Sequence, residues 1–135
     1  MSTTETKAAG PIRPLSPHLD IYRFTWTMAM SIMHRITGAA LYFGTLLLAA
    51  WLLSAASGKG AYESAQWLFG GFLGRLVLFG YTWALLHHMI GGLRHFVWDV
   101  GAGFDPKVRQ QMAMGNLILS VALTIVVWVI GYAVR

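Results

Sequence analysis

The sequence of 135 residues contains no cysteine. Because the thiol is absent, this chain can form no disulfide, ligate no iron–sulfur cluster and hold no haem through a thiolate or a covalent thioether. Histidine, present five times, is then the strongest candidate for a metal ligand.

Charged residues are also scarce, at 11% of the chain against 56% hydrophobic residues, whereas soluble domains average roughly 25% charged residues. Three apolar stretches, at about residues 29–54, 72–97 and 112–134, reach the ~20 residues that a helix needs to cross a bilayer. We therefore predict an all-α integral membrane protein in which residues 1–28 form an N-terminal arm and residues 29–135 form a three-helix transmembrane domain.

The basic residues predict the orientation of these helices. Seven flank one side of the membrane and three flank the other, which places the N-terminus in the cytoplasm by the positive-inside rule. The seven are Lys7, Arg13, Arg23, Arg35, Arg94, Lys107 and Arg109; the three are Lys59, Arg75 and Arg135. Because these charges are scattered at helix ends rather than clustered, the net charge of +5 indicates topology and not a nucleic-acid partner. Residues 1–11 lack the apolar core of a signal peptide, so we expect the first span to direct insertion.

A histidine-rich segment closes the second span. On a helix, His88 and His95 differ by roughly 20° and share a face with Gly92, so a planar group has room against the backbone there. Histidines at membrane depth are costly and mark functional sites, although a hydrogen bond from His88 to a neighbouring helix is the simpler alternative. His87 points elsewhere and is expected to bond a neighbouring helix or to face a subunit interface.

The first span opens with a polar segment, Ser31-Ile32-Met33-His34-Arg35-Ile36-Thr37-Gly38. Ser31 and Arg35 are spaced i, i+4 and share a helix face. They form either a polar site at the end of the span or an ordinary helix end, in which Arg35 extends to the headgroups and Ser31 bonds its own backbone. The loop at 55–71 is expected to be a short turn with aromatic anchors, and the loop at 99–106 to break the second helix.

Two segments, Ser31-Ile32-Met33-His34-Arg35-Ile36-Thr37-Gly38 and His88-Met89-Ile90-Gly91-Gly92-Leu93-Arg94-His95, together resemble the larger cytochrome b membrane-anchor subunits of succinate dehydrogenases. Arg13-Pro14-Leu15-Ser16-Pro17-His18-Leu19 and Trp98-Asp99 resemble them too, and the likeness extends over about residues 13–101. It implies a multi-pass protein of the bacterial inner membrane that pairs with a second three-helix anchor. It also implies that an iron–sulfur subunit and a flavoprotein subunit are held on the membrane face, so that electrons from succinate reach ubiquinone in the respiratory chain and tricarboxylic acid cycle.

The resemblance also implies roles for individual residues. His88 takes the place of the axial ligand of haem b, and Ser31 and Arg35 take the places of the quinone-site serine and arginine. His34 and His95 lie where a haem propionate or the quinone is contacted. A subunit of this kind catalyses nothing alone.

Other functions fit parts of the pattern. A haem-free structural anchor of the same type of complex and an anchor of a fumarate reductase both fit. A small transporter or channel subunit using histidines for protons is disfavoured, because the spans contain no acidic residue and the chain no internal repeat.

Overall fold

The structure is a computed structural model that describes residue 14 and residues 16–134. The described residues form five helices and no strand: α1 (His18–Ile21), α2 (Trp26–Ala56), α3 (Lys59–Gly70), α4 (Phe72–Asp99) and α5 (Pro106–Ala133). Of these, α2, α4 and α5 are long and apolar enough to cross a membrane. The predicted fold class, an all-α protein with three transmembrane helices, is confirmed, while the cytoplasmic position of the N-terminus stays a prediction.

Half of the proposed N-terminal arm, residues 1–13 and residue 15, lies outside the described residues. The remainder contains the short helix α1, which follows Pro17, and an extended stretch that ends at Thr25. The Thr25 hydroxyl accepts a hydrogen bond from the backbone N–H of Met28 and so caps α2. The first membrane helix therefore starts at Trp26, slightly before the apolar stretch itself.

The prediction for residues 55–71 is wrong in one respect, because a helix, α3, fills most of that loop. Gly58, at φ 112°, makes the turn between α2 and α3 in a backbone conformation that favours glycine. Glycine and serine are typical of turns, yet the segment Ala61-Tyr62-Glu63-Ser64-Ala65-Gln66-Trp67 is helical. The indole N–H of Trp51 donates to the side-chain oxygen of Gln66 at 3.3 Å and ties α3 to α2.

Helix α5 begins at Pro106, six residues before the apolar stretch predicted at 112. The Asp105 carboxylate accepts hydrogen bonds from the backbone N–H groups of Lys107 (2.9 Å) and Val108 (3.2 Å). Proline at the first helical position loses no helical hydrogen bond, so Asp105-Pro106 is a favourable helix start. The polar first turns of α5 bring Arg109 beside the ends of α2 and α4.

The helices pack through small and polar residues. Among the described residues, the buried hydrophobic ones are only Met30, Ala84 and Ala113, whereas six polar or charged residues are buried and most long apolar side chains point outward. This arrangement is expected in a bilayer, where lipid solvates the apolar side chains and helices associate through close packing and interhelical hydrogen bonds.

Candidate functional site

Three of the residues singled out in the sequence meet where α2 packs against α4. The rings of His34 and His88 stack in parallel, with centroids 4.0 Å apart and planes within 2°. The ring of His95 lies 5.7 Å from that of His34. His34 and His88 are half-buried and His95 is exposed. The structure thus brings together histidines that are far apart in the sequence, at the end of the bundle that contains the start of α2.

The backbone of α2 orients the ring of His88. Its Nδ1 lies 3.0 Å from the carbonyl oxygen of His34. A carbonyl oxygen only accepts hydrogen bonds, so Nδ1 carries the proton and Nε2 keeps its lone pair. A carbonyl bond of this kind to the non-ligating nitrogen fixes the tautomer and direction of many histidines that ligate metals.

Two glycines make this close approach possible. A Cβ atom at Gly38 would lie 2.8 Å from Cε1 of His88, and a Cβ atom at Gly91 would lie 2.9 Å from Cε1 of His34. Each glycine therefore accommodates the histidine of the opposite helix, and neither position has room for a side chain. Gly92, one turn after His88, faces open space.

His87 has a different environment, as the sequence predicted. It is fully buried between α4 and α5, with Nδ1 3.3 Å from the Ser120 hydroxyl. The amide nitrogen of Asn116 lies 3.3 Å from Nε2 of His87. The Ser120 hydroxyl donates to the carbonyl of Leu117, so it accepts from Nδ1–H while Asn116 donates to Nε2. Both ring nitrogens of His87 are occupied, and no lone pair is left for a metal.

A small cavity of about 160 Å³ lies beside the histidine cluster. It is lined by residues from one end of all three long helices: Thr27, Ser31, His34, Arg94, His95, Trp98 and Arg109. Two of these residues are arginines, two are histidines, and none of the described lining residues is acidic. The cavity therefore suits an anionic group or a hydrogen-bond acceptor.

Arg94 is the feature of this cavity that the sequence reasoning missed. Only 8% of its surface is exposed, and the guanidinium carbon lies 5.0 Å from the centre of the Trp98 ring. Its Nε is buried and has no hydrogen-bond partner among the described residues. A buried charge is costly unless it is paired, so Arg94 is a candidate partner for an anionic group. The sequence does carry a signal for this role, since Arg94 is a lone arginine inside an apolar span.

The two residues assigned to the quinone are placed differently. Ser31 lines the small cavity, whereas Arg35 does not, and both are exposed. Within this chain the structure brings Ser31 near His34 and His95 but does not bring Arg35 into the cavity. Both side chains remain accessible to a ligand or a second chain.

Comparison with known proteins gives a consistent result over nearly the whole chain. Residues 10–127 match the family model described as succinate dehydrogenase/fumarate reductase transmembrane subunit. The match includes all three long apolar helices except the end of α5, and every residue of the histidine cluster and small cavity.

Individual relatives agree. The chain is 41% identical over 121 residues to the succinate dehydrogenase cytochrome b556 subunit of Paracoccus denitrificans, covering 87% of this chain and 93% of that one. The cytochrome b556 subunit of Rickettsia felis is 33% identical over 117 residues, covering 87% and 91%. The mitochondrial cytochrome b560 subunit of Sus scrofa is 41% identical over 120 residues, covering 85% and 69%.

Proposed function

Because the chain belongs to the succinate dehydrogenase/fumarate reductase transmembrane subunits, we propose that it binds haem b through His88 and helps to form a ubiquinone-reduction site. It is a multi-pass inner-membrane subunit of a redox enzyme complex. The succinate chemistry is assigned to the soluble partners, so that this subunit catalyses nothing alone.

One observation carries the haem proposal: the His34 carbonyl holds Nδ1 of His88 and leaves Nε2 with a free lone pair. Neutral imidazole nitrogen is the usual axial ligand of haem in electron-transfer cytochromes. The open space at Gly92, one turn after His88, provides a flat surface for a macrocycle. His87, with both nitrogens occupied, offers neither feature.

The cations of the small cavity support the same proposal. Haem b has two carboxylate propionates, and the unpaired buried guanidinium of Arg94 is a suitable partner for one of them. Arg109, His34 and His95 line that cavity too, and we propose that they also lie close to the propionates. When bound, the haem would act as a one-electron carrier. These residues would hold it and neutralise the negative charge of its propionates.

Ser31 and Arg35 are proposed to bind ubiquinone at the same end of the bundle. Reduction of a quinone adds two electrons and two protons, and negative charge develops on its carbonyl oxygens. The hydroxyl of Ser31 and the guanidinium of Arg35 supply a donor and a charged donor at that point. Both lie on an exposed face of α2, which suits a site completed by another subunit.

We place this end of the bundle on the cytoplasmic side, since seven basic residues flank it and three flank the other end. An iron–sulfur subunit and a flavoprotein subunit are proposed to dock there and to deliver electrons from succinate. A second three-helix anchor subunit is proposed to supply the other axial ligand, because the ring of His34 stacks on that of His88 with centroids 4.0 Å apart and leaves no room for a macrocycle between them.

Optical spectra of the purified complex, air-oxidised and dithionite-reduced, test the proposal. We expect the sharp reduced bands of a low-spin haem b, with one haem for each copy of this chain. A complex that assembles and oxidises succinate without those bands would instead identify a haem-free structural anchor. The same complex tested in the fumarate-reducing direction distinguishes a fumarate reductase anchor.

A further inference from the structure

A second and much larger cavity, of about 680 Å³, lies at the other end of the bundle. Helices α2, α4 and α5 line its sides through residues such as Leu48, Tyr81 and Trp128, and α3 closes its end through Gln66 and Phe69. The volume is within the range of specific small-molecule sites, roughly 300–1,000 Å³. None of the residues of the proposed haem and quinone site lines it.

The lining of this cavity is mainly apolar, with a few uncharged polar side chains such as Gln66, Thr82 and Tyr132. Arg75 is the single formally charged residue among the described residues that line it. It lies in the first turn of α4, where a membrane helix meets the headgroups, and its side chain is exposed. No acidic residue forms an ion pair with it within the described part of the chain.

The depth of the cavity matches part of one leaflet. On α4 the lining runs from Arg75 to Thr82, and on α2 from Gly44 to Trp51. At 1.5 Å per residue, each stretch is about 10 Å long, against about 15 Å for half of the hydrocarbon core. An acyl chain that enters beside Arg75 would therefore run along the cavity toward the centre of the bilayer.

From this combination we infer that the cavity binds an anionic glycerophospholipid, with its phosphate at Arg75 and an acyl chain between α2, α4 and α5. A guanidinium matches a phosphate both in charge and in hydrogen-bond geometry. Two glycines that line the cavity, Gly70 and Gly131, have no atom within 4 Å of an added Cβ, so the space is open along the backbone itself.

A neutral carbonyl ligand such as a quinone fits the cavity less well, because the two indole N–H groups of the lining already donate to other side chains. The Trp51 N–H donates to the side chain of Gln66, and the Trp128 N–H donates to the hydroxyl of Thr82, each at 3.3 Å. The hydroxyls of Tyr81 and Tyr132 remain as polar groups in a mainly apolar lining, but the formal charge lies at Arg75, which favours an anionic lipid over a neutral ligand.

Native mass spectrometry of the delipidated, assembled complex tests this inference by titration with phosphatidylglycerol and with phosphatidylcholine of identical acyl chains. We expect one phosphatidylglycerol per copy of this chain, bound at least tenfold more tightly than phosphatidylcholine. Arg75→Gln removes a charged hydrogen bond and should weaken phosphatidylglycerol binding by about 10- to 100-fold. Gly131→Phe fills the cavity and should abolish binding of both lipids.

Two matched variants serve as controls and should bind phosphatidylglycerol normally. Lys59→Gln removes an exposed cation near the same end of the bundle, from an i, i+4 pair with Glu63 that lies outside the cavity. Gly115→Phe places the same bulk on α5 at a position that is also open but does not line the cavity.

Several results would overturn the inference. Equal affinity for the two lipids would exclude selection of a net anionic headgroup, since both lipids carry a phosphate. Wild-type binding by Arg75→Gln would exclude phosphate recognition by Arg75. Retention of lipid by Gly131→Phe would place the bound molecule in the surrounding lipid annulus. Stoichiometric ubiquinone that is lost in Gly131→Phe would identify a quinone site. Binding by the isolated chain but not by the complex would show that a partner subunit covers the cavity.

Discussion

Replacing Gly38 with alanine tests the geometry of the proposed haem ligand with the smallest available change. The added Cβ would lie 2.8 Å from Cε1 and 3.3 Å from Nδ1 of His88. Ordinary van der Waals contact begins at 3.4 Å, so the ring or α2 must retreat by about 0.6 Å to restore it. A displacement of that size can stretch the hydrogen bond between His88 and the His34 carbonyl from 3.0 Å to about 3.6 Å, which is beyond hydrogen-bond range.

Two costs follow from this displacement. Overpacking a tight interface costs about 1–3 kcal/mol of stability. Loss of the hydrogen bond that orients a ligating histidine lowers affinity for the metal by about 10- to 100-fold. We therefore expect Gly38→Ala to lower the ratio of haem to protein in the purified complex and to broaden the low-spin spectrum of the haem that remains.

Two control variants separate ligand geometry from general damage. Gly44→Ala overpacks the same pair of helices against Tyr81, six residues farther along α2, and should lower stability while the assembled complex keeps a normal haem spectrum. Gly80→Ala faces open space and should change neither property. If Gly38→Ala binds a full complement of haem with an unchanged spectrum, the ring of His88 is not held as we describe.

Three further predictions concern the proposed site and its assembly. Ser31→Ala and Arg35→Leu should each slow succinate-dependent quinone reduction by about 100- to 1,000-fold, and Arg35→Leu should be the more severe. Dye reduction by the soluble subunits should stay near normal in both variants. Quinone reduction at the wild-type rate would contradict the assignment. Arg94→Gln should reduce haem retention through loss of a propionate partner, and an unchanged haem-to-protein ratio on detergent washing would contradict that role. Expressed without its partners, the chain should insert but show no six-coordinate haem; a bis-histidine spectrum from the monomer would mean that a second ligand is internal.

The sequence predicted the membrane helices well because their signal is the composition of long segments. It also predicted that His88 and His95 share a face, since that depends only on the pitch of one helix. The different environments of His87 and His88 followed from the same argument, and the structure shows His87 bonded to a neighbouring helix, α5, which is the first of its two expected placements.

Features that depend on the relation between helices were not predictable. The identity of Asn116 and Ser120 as partners of His87 depends on the rotation of α5, which hydrophobicity alone does not specify. The pairing of Gly38 with His88 and of Gly91 with His34 requires the register of α2 against α4. Helix α3 was missed because the glycines and serines around it are also typical of turns.

Chemical rescue is the sharpest test of whether Nε2 of His88 ligates haem iron. In the purified complex, His88→Gly should lose the low-spin haem spectrum, and added imidazole should restore it by occupying the vacated position. His87→Gly should keep the low-spin spectrum without imidazole. If the His88→Gly complex retains low-spin haem without imidazole, His88 is not the ligand. If the His87→Gly complex loses low-spin haem and recovers it with imidazole, His87 is the ligand instead.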